Sequence, residues 1–263
     1  LGCAHLTLVD HSEFLLFEID RELASADPHA SRRTVLANVR NEQRILDLLK
    51  EERPDIVFHA AALKHVTLVE QNPAEGVLTN VLGTWNVIRA AIAAGAQQFV
   101  LVSTDKAVAP TNVMGATKRI AESLLEIAPP SSTRLSAVRF GNVLGSAGSV
   151  VPIFQKQIAA GGPVTVTHPD VDRYFMTIPE AVQLVLHSTA INADRPQSTP
   201  SKFLLEMGKP VKIVDLARQM IELSGQTPDV DIKIEFTGLK PGEKLSEALY
   251  VIDEIVLECA DGI

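Results

Sequence analysis

The chain has 263 residues, of which 46% are hydrophobic and 21% are charged, so it can bury a sizeable core and is not a disordered chain. The formal net charge of −8 argues against nucleic acid as a partner, because a phosphate backbone would repel such a surface. A small anionic ligand held by a few local cations is still allowed.

Short apolar runs alternate with longer amphipathic ones along the first half of the chain. The short runs predict strands buried on both faces at residues 5–9, 55–58, 99–102 and 135–140. Helical patterns lie between them at residues 12–24, 41–51, 73–94 and 112–127, with Ser12 and Asn72 as caps and Pro73 at a first helical position. This order predicts βαβ units, and therefore an α/β fold with a doubly wound, Rossmann-like parallel sheet.

The rhythm changes after about residue 150. Strands are predicted at 164–167, 203–206 and 231–236, helices at 178–193 and 211–224, and a polar loop at 168–173. We therefore expect one domain in residues 1–150 and a smaller lobe in residues 151–263, with some segments of the lobe returning to the sheet. The lobe would rest on the edge where parallel sheets bind ligands, beyond the carboxyl ends of the strands.

Cysteine usage and apolar runs bear on the compartment. Cys3 and Cys259 lie at opposite ends without metal spacing, which favours free thiols in a reduced, cytoplasmic setting, and we expect no metal site. No signal peptide is visible, and no apolar run approaches the roughly 20 residues of a membrane span, so we expect no membrane segment in this chain. Because the chain opens on Leu1, we expect it to be part of a longer product, which could itself be membrane-anchored.

Chemistry-bearing side chains follow one of the predicted strands directly. Thr104, Asp105 and Lys106 offer a hydroxyl, a carboxyl and an amine at the lip of the sheet, although a solvated loop with a capping Asp would look the same. Met114 and Lys118 lie one helical turn apart on one face. Taken alone, they would be core filler and a surface lysine.

Seven segments together resemble the extended short-chain dehydrogenase/reductase family, in its CapD-like nucleotide-sugar 4,6-dehydratase branch. They are LVDHSE (8–13), HAAALKHV (59–66), NVLGT (80–84), STDKAVAPTNVMGATK (103–118), VRFGNVLGS (138–146), RYFMT (173–177) and GLKPGEK (238–244). Members of that branch carry methionine where most relatives have the tyrosine of Tyr-x-x-x-Lys. The resemblance implies an NAD⁺-dependent lyase that acts on UDP-N-acetylglucosamine for polysaccharide biosynthesis, with NAD bound by residues 1–150 and the UDP-sugar mainly by residues 151–263.

The resemblance also implies roles for the catalytic set. Lys106 would remove the C5 proton of the sugar, Asp105 would protonate the C6 hydroxyl, and Thr104 would bond the 4-oxygen. Lys118 would hold the nicotinamide ribose and serve as the nearby cation that makes Lys106 a better base. Met114 would exclude water without transferring a proton.

Further positions carry over to cofactor and substrate. For NAD they are Asp10 at the adenosine ribose (or as a simple cap), Asn38 and Val39 where relatives have Asp-Val, and Ala60, Ala61, Ala62, Asn80, Lys118 and Phe140. For the UDP-sugar they are Arg173, Lys240 and Lys244 at the diphosphate, Asn142 and Glu243 as hydrogen-bond partners, Ser149 and Val150 at a helix N-terminus, and Lys64 and His65 at the sugar. His65 is equally plausible as a structural histidine, and a homo-oligomer stays open.

One departure from the family pattern concerns the front of the fold. The family begins with a strand and a Gly-x-x-Gly-x-x-Gly turn, which this sequence lacks, and we expect that strand to belong between those ending near Asp10 and Phe58. Two alternatives therefore stay open. One is a nucleotide-sugar 4-epimerase, against which Asp105 and Lys106 speak, and the other is a catalytically silent nucleotide-sugar-binding fragment.

Overall fold

The computed structural model describes residues 3–146, 148–195, 200–251 and 254–263. Its strands are β1 (Leu6–Asp10), β2 (Arg32–Leu36), β3 (Ile56–His59), β4 (Gln98–Val102), β5 (Arg134–Arg139), β6 (Asn142–Val143), β7 (Val164–Val166), β8 (Asp172–Arg173), β9 (Phe175–Met176), β10 (Ser201–Leu204), β11 (Val211–Lys212) and β12 (Ile234–Phe236). Its helices are α1 (Glu13–Ala26), α2 (Glu42–Glu52), α3 (Val66–Gln71), α4 (Pro73–Gly76), α5 (Thr84–Ala94), α6 (Val113–Glu126), α7 (Val150–Ala159), α8 (Ile178–Asp194) and α9 (Ile213–Leu223). A π-helical turn at Val77–Gly83 joins α4 to α5.

The large strands are parallel, which confirms the predicted α/β fold. One sheet has the order β10-β5-β4-β3, and β1 pairs with β2 in a second sheet. Within the described part of the chain, β1 and β3 each keep one edge without a strand partner. Because all six strands are parallel within their sheets, the residues after Asp10, Leu36, His59, Val102 and Arg139 follow carboxyl ends, where a ligand is expected.

Three apolar cores hold these layers together. The first packs α2, α5 and α6 against β4 and β5, and its centre includes Ile88, Phe99 and Leu101. The second joins α7 and α9 to β7, around Phe154 and Ile221. The third packs α8 on the other face of the sheet, against side chains of β4, β5 and β10. Since β10 pairs with β5, part of the C-terminal region returns to the sheet, and we keep a boundary near residue 150 as a proposal.

Several local predictions were wrong. The strands predicted at 5–9 and 55–58, which are β1 and β3, are not buried on both faces. Val9 and Phe58 are 38% and 44% exposed, whereas β4 is buried almost throughout. Strand β2 was missed, since its opening Arg32-Arg33 lacks the apolar run that marks a buried strand. Residues 172–173, predicted as loop, pair with residues 211–212, which were predicted as helix.

The two predicted helix caps, Ser12 and Asn72, behave differently in the structure. The Ser12 side chain accepts a hydrogen bond from the amide of Leu15, as an N-cap does. Pro73 occupies the first helical position, but the Asn72 side chain makes no cap hydrogen bond and donates to the Leu68 carbonyl instead.

The expectation about membrane-length runs needs correction as well. Among the described residues, the helical stretch Pro73–Ala94 is long and apolar enough, by length and composition, to cross a membrane. It is also a core helix of this fold, because it packs against α2 and carries three buried polar side chains, Asn80, Thr84 and Asn86, that bond to neighbouring groups.

Candidate active site

A chain of hydrogen bonds joins four predicted site residues at the ends of β4 and β5. Asp105 Oδ1 accepts from Thr104 Oγ1 at 2.9 Å and from Lys106 Nζ at 3.0 Å, and Lys106 Nζ also donates to Asn142 Oδ1 at 3.1 Å. Asp105 is fully buried, and its Oδ2 atom has no hydrogen-bond partner among the described residues. The result is a buried carboxyl with one free oxygen beside a partly exposed amine.

The backbone fixes this cluster in place. Asp105 opens a 3₁₀ turn that follows β4, and its amide donates to the carbonyl of Phe140 at 3.1 Å. The same turn returns at Val108, whose amide donates to the Asp105 carbonyl. Phe140 therefore serves the site through its main chain, and it links the turn after β4 to the end of β5.

Helix α6 brings Met114 and Lys118 to the same region. Both are buried, and Lys118 Nζ donates to the carbonyl of Val102, the last residue of β4, at 2.5 Å. Burial lowers the pKa of Lys118 to about 8, against the opposing effect of the Glu122 carboxylate. The charged partner of Lys106 is Asp105, whereas Lys118 donates to a main-chain carbonyl.

Gly115 is a site residue that the sequence analysis missed. A Cβ atom at this position would lie 2.3 Å from the carbonyl oxygen of Lys106, so only glycine lets α6 pack this closely on the 3₁₀ turn. Asn112 caps the helix by accepting from the Gly115 amide. The sequence shows that Gly115 lies between Met114 and Lys118, but it does not show how closely Gly115 approaches the Lys106 carbonyl.

Asn80 ties down the loop that follows β3. It is buried, accepts from the Leu63 amide, and donates to the Leu63 carbonyl and to Thr117 Oγ1 on α6. Ala60 and Ala61, at the start of this loop, are exposed, and Ala62 is partly buried. The small side chains thus leave the β3 end open to a ligand.

His59, the last residue of β3, is also buried. Its Nε2 atom lies 3.0 Å from Thr84 Oγ1. Burial lowers the pKa of His59 to about 3, and the positive charge of Lys118 adds to this effect, so the imidazole is neutral at ordinary pH.

The predicted adenosine-binding residues lie at the ends of β1 and β2. The Asp10 carboxylate accepts from the Ser12 amide at 2.7 Å and lies 3.4 Å from His11, yet its side chain remains 41% exposed. Asn38 is exposed and accepts from the Arg40 amide. Val39 is partly buried against Gly83.

The candidate diphosphate clamp is engaged internally. The guanidinium of Arg173 is buried and donates to the carbonyls of Asp172, Lys244 and Leu245, with Glu243 at 3.5 Å. Lys244 Nζ donates to the Val108 carbonyl at 2.9 Å. Arg173 therefore shapes the 240–245 loop, and Lys244 fastens that loop to the turn after β4.

The other predicted substrate residues are more open. Lys240 is exposed, and Glu243 accepts from its amide and from Thr167. Lys64 and His65 are exposed on the loop after β3, and the His65 ring leaves no room for a Cβ atom at Gly148. Ser149 precedes α7, which Val150 opens, and its hydroxyl is without a hydrogen-bond partner in the described ranges.

A buried ion cluster beneath the site escaped the sequence analysis. Glu122 on α6 accepts hydrogen bonds from Nε and Nη2 of Arg139, and Glu254 accepts from Nη1 and Nη2. Burial alone would lower the pKa of Arg139, but its hydrogen bonds to the two carboxylates outweigh this and raise it. Hydrogen bonds from Arg139 lower the pKa of Glu254 to about 2. Arg139 lies 17 residues from Glu122 and 115 residues from Glu254, so no local pattern reveals the cluster.

Across the ranges that the structure describes, no three His, Cys, Asp or Glu side chains group as metal ligands, and Cys3 and Cys259 are free and exposed.

Comparison with known proteins adds a family to this geometry. The profile of a family described as "Polysaccharide biosynthesis protein" matches residues 2–260. The chain belongs to this family. The probable polysaccharide biosynthesis protein EpsC of Bacillus subtilis and the capsular polysaccharide biosynthesis protein CapD of Staphylococcus aureus are each 50% identical, over 96% and 95% of this chain. The chain spans 42% and 41% of these relatives, and the CapD-like resemblance is confirmed.

Other family relatives carry the names of activities. A UDP-N-acetylglucosamine 4,6-dehydratase (inverting) of Campylobacter jejuni is 34% identical over 89% of this chain and 66% of its own length. A UDP-glucose 4-epimerase of Rickettsia typhi is 35% identical over 94% of the chain and 71% of its own length. The X-ray structure of Pen from Bacillus thuringiensis superposes with a TM-score of 0.84 at 37% identity, covering 95% of this chain and 76% of that one.

Proposed function

We propose that this chain is the catalytic part of an NAD-dependent UDP-N-acetylglucosamine 4,6-dehydratase for polysaccharide biosynthesis. The observation that carries the proposal is the hydrogen-bonded series Thr104–Asp105–Lys106–Asn142, which puts an acid and a base on one strand end. The family and the dehydratase among the relatives support it. A 4-epimerase leaves the C5 proton and the C6 hydroxyl in place, so it would need no such acid–base pair.

The residues present fit several parts of NAD. Asp10, at the end of β1 and partly exposed, would accept the ribose hydroxyls of the adenosine, and the open Ala60–Ala61 end of β3 would admit the dinucleotide backbone. Lys118 would contact the nicotinamide ribose. When bound, NAD would accept the hydride from C4 of the sugar and later return it to C6.

The chain's own residues would move the protons. Thr104 bonds the 4-oxygen, takes the proton of the 4-hydroxyl and passes its own hydroxyl proton to Asp105, a route that their 2.9 Å hydrogen bond supports. Lys106, acting as the free amine, takes the C5 proton, which the 4-keto group has made acidic, and returns a proton to C5 when hydride is delivered to C6. Asp105 gives its proton to the C6 hydroxyl, which leaves as water. Each acid–base role is worth about 10²–10⁴-fold in rate.

Met114 explains how this site works without a tyrosine. Its thioether neither gives nor takes a proton, but it is buried one turn before Lys118, where it would help to exclude water. The acid–base chemistry would therefore reside on the strand end and not on the helix.

The substrate would lie between this strand end and the C-terminal lobe. Lys240, which is exposed, and the N-terminal amides of α7 after Ser149 are the groups we assign to the diphosphate. Arg173 is assigned a supporting part, because its guanidinium already bonds three carbonyls.

A 4-epimerase is the second candidate, favoured by the epimerase among the relatives. Incubation of the protein with UDP-N-acetylglucosamine and NAD, followed by chromatography that resolves isomers and mass spectrometry of each peak, separates the two. Loss of one water supports the dehydratase, and an isomer of equal mass supports the epimerase. An unchanged sugar with preserved ligand binding would instead support a silent binding fragment.

A further inference from the structure

The buried ion cluster touches each of the three segments that carry the proposed chemistry. Its centre is Glu122, a fully buried carboxylate one helical turn beyond Lys118 on α6. Glu122 Oε1 accepts from Ser103 Oγ at 2.5 Å, and Ser103 directly precedes Thr104. One side chain thus joins the helix that carries Lys118 to the end of β4.

Arg139 extends the connection to β5. Its Nε and Nη2 atoms donate to the two oxygens of Glu122 at 2.9 and 2.8 Å. Arg139 is the last residue of β5 and precedes Phe140, whose carbonyl accepts from the Asp105 amide. A paired, two-point contact of this kind fixes orientation as well as distance.

Glu254, from the C-terminal segment 254–263, completes the cluster. It accepts from Arg139 Nη1 at 2.7 Å and from Nη2 at 2.9 Å, so the buried guanidinium is shared by two carboxylates. Arg119 lies 3.5 Å from both Glu122 and Glu254, which balances two positive charges against two negative ones. The Glu122 and Arg139 side chains are buried, and each needs its partner, since an unpaired buried charge is very unfavourable.

We infer that Glu122, Arg139 and Glu254 are positioning residues, which hold the ends of β4 and β5 and helix α6 in the register that the reaction needs. The C-terminal segment is thereby part of the active-site support, although it carries none of the reacting groups. The role in positioning rests on the proposed function, whereas the cluster itself is defined by the hydrogen bonds above.

The test uses Glu254→Gln, which keeps the shape of the side chain and removes its charge. We expect kcat for water loss to fall about tenfold with KM unchanged, because small displacements of reacting groups are costly in rate. Glu254→Asp keeps the charge and should recover most of the lost kcat. Glu258→Gln, which changes an exposed carboxyl of the same segment, is the matched control and should behave as the wild type.

Hydrogen exchange provides a readout that does not depend on activity. In Glu254→Gln, the amides of residues 103–108 should exchange faster while those of α2 stay unchanged. Should Glu254→Gln not fold, Ser103→Ala removes a different bond to Glu122 and should give the same local pattern.

Three results would overturn the inference: kcat and exchange equal to those of the control, a loss that Glu254→Asp does not recover, or faster exchange throughout the chain. If the wild type forms no product while Glu254→Gln still shows faster exchange confined to residues 103–108, the proposed function is refuted and the positioning role of the cluster stands.

Discussion

Lys106 Nζ lies 3.1 Å from the amide oxygen of Asn142, a residue 36 positions further along the chain. The contact joins the turn after β4 to Asn142, which opens β6 three residues after the end of β5, and β4 and β5 are neighbouring parallel strands. Because Asp105 occupies the other side of the amine, the two acceptors together fix its direction. The proposed base is therefore aimed by two strands at once.

Replacing Asn142 tests whether this contact orients the Lys106 amine. In Asn142→Ala the amine keeps Asp105 but loses its second acceptor, so it can swing away from C5. We expect kcat to fall about 10- to 100-fold, since loss of orientation alone has effects of this size. Steady-state kinetics of water loss measures it. A variant with wild-type kcat would show that Asn142 does not orient the amine.

Met114 should be replaceable by another apolar side chain. Met114→Leu conserves volume at a site that is 3% exposed, so the free energy of unfolding should fall by less than about 1.5 kcal/mol. Turnover should stay within about twofold of the wild type, because the thioether carries no proton. Thr104→Val is the contrasting variant and should lose about 10²-fold in rate. A large loss of turnover in a stable Met114→Leu protein would mean that sulfur takes part in the chemistry.

Gly115 should tolerate no side chain. The Cβ atom of Gly115→Ala would meet the Lys106 carbonyl at 2.3 Å, and backbone must move to relieve that contact. We expect a loss of about 1–3 kcal/mol in unfolding free energy, measured by urea denaturation, together with lower turnover. Gly76→Ala is a suitable comparison, because its new methyl would meet the Val69 side chain and not backbone. Equal stability for Gly115→Ala and the wild type would contradict the close approach.

The sequence analysis succeeded where a local pattern decides the structure. The apolar runs of β4 and β5 are buried, and the sharp change to Thr104-Asp105-Lys106 marks a real strand end. The motifs also identified the family correctly. Local patterns could equally predict the Ser12 cap and the helix that Val150 opens.

It failed where distant residues decide. The place of Arg173 at the diphosphate stays a prediction, but no local pattern shows that two of its three carbonyl partners lie some 70 residues away, at Lys244 and Leu245. Glu122 has the sequence context of a surface acid on a helix, and only its contact with Arg139 makes it a core residue. Val9 and Phe58 belong to β1 and β3, each of which has an edge without a strand partner in the described structure, so burial inferred from their apolar character was wrong.

The buried Lys118 predicts a specific pH dependence of stability. Its pKa is lowered from 10.5 to about 8 in the folded chain, so between pH 8 and 10.5 the unfolded chain binds a proton that the folded chain does not. Stability contributed by this group therefore rises with pH through that window, by up to about 3 kcal/mol, and is flat below it. The unfolding free energy of the wild type, measured relative to that of Lys118→Met, should therefore rise between pH 7.5 and 10.

The control for this experiment is Lys50→Met, which replaces an exposed lysine at the end of α2. Its difference from the wild type should stay constant over the same range. A constant difference for Lys118→Met as well would show that the Lys118 ammonium is not desolvated in the folded protein.

The central claim is that the proton at C5 of the sugar is taken by the amine of Lys106, on the strand end. The most direct measurement is the mass of the product formed from UDP-N-acetylglucosamine and NAD in deuterium oxide, for the wild type and for Lys106→Ala. The wild-type product should lack one water and carry deuterium at C5, since that position exchanges with solvent during the reaction, and Lys106→Ala should yield neither change while still binding the nucleotide sugar. Deuterated, dehydrated product from Lys106→Ala at the wild-type rate would contradict the claim.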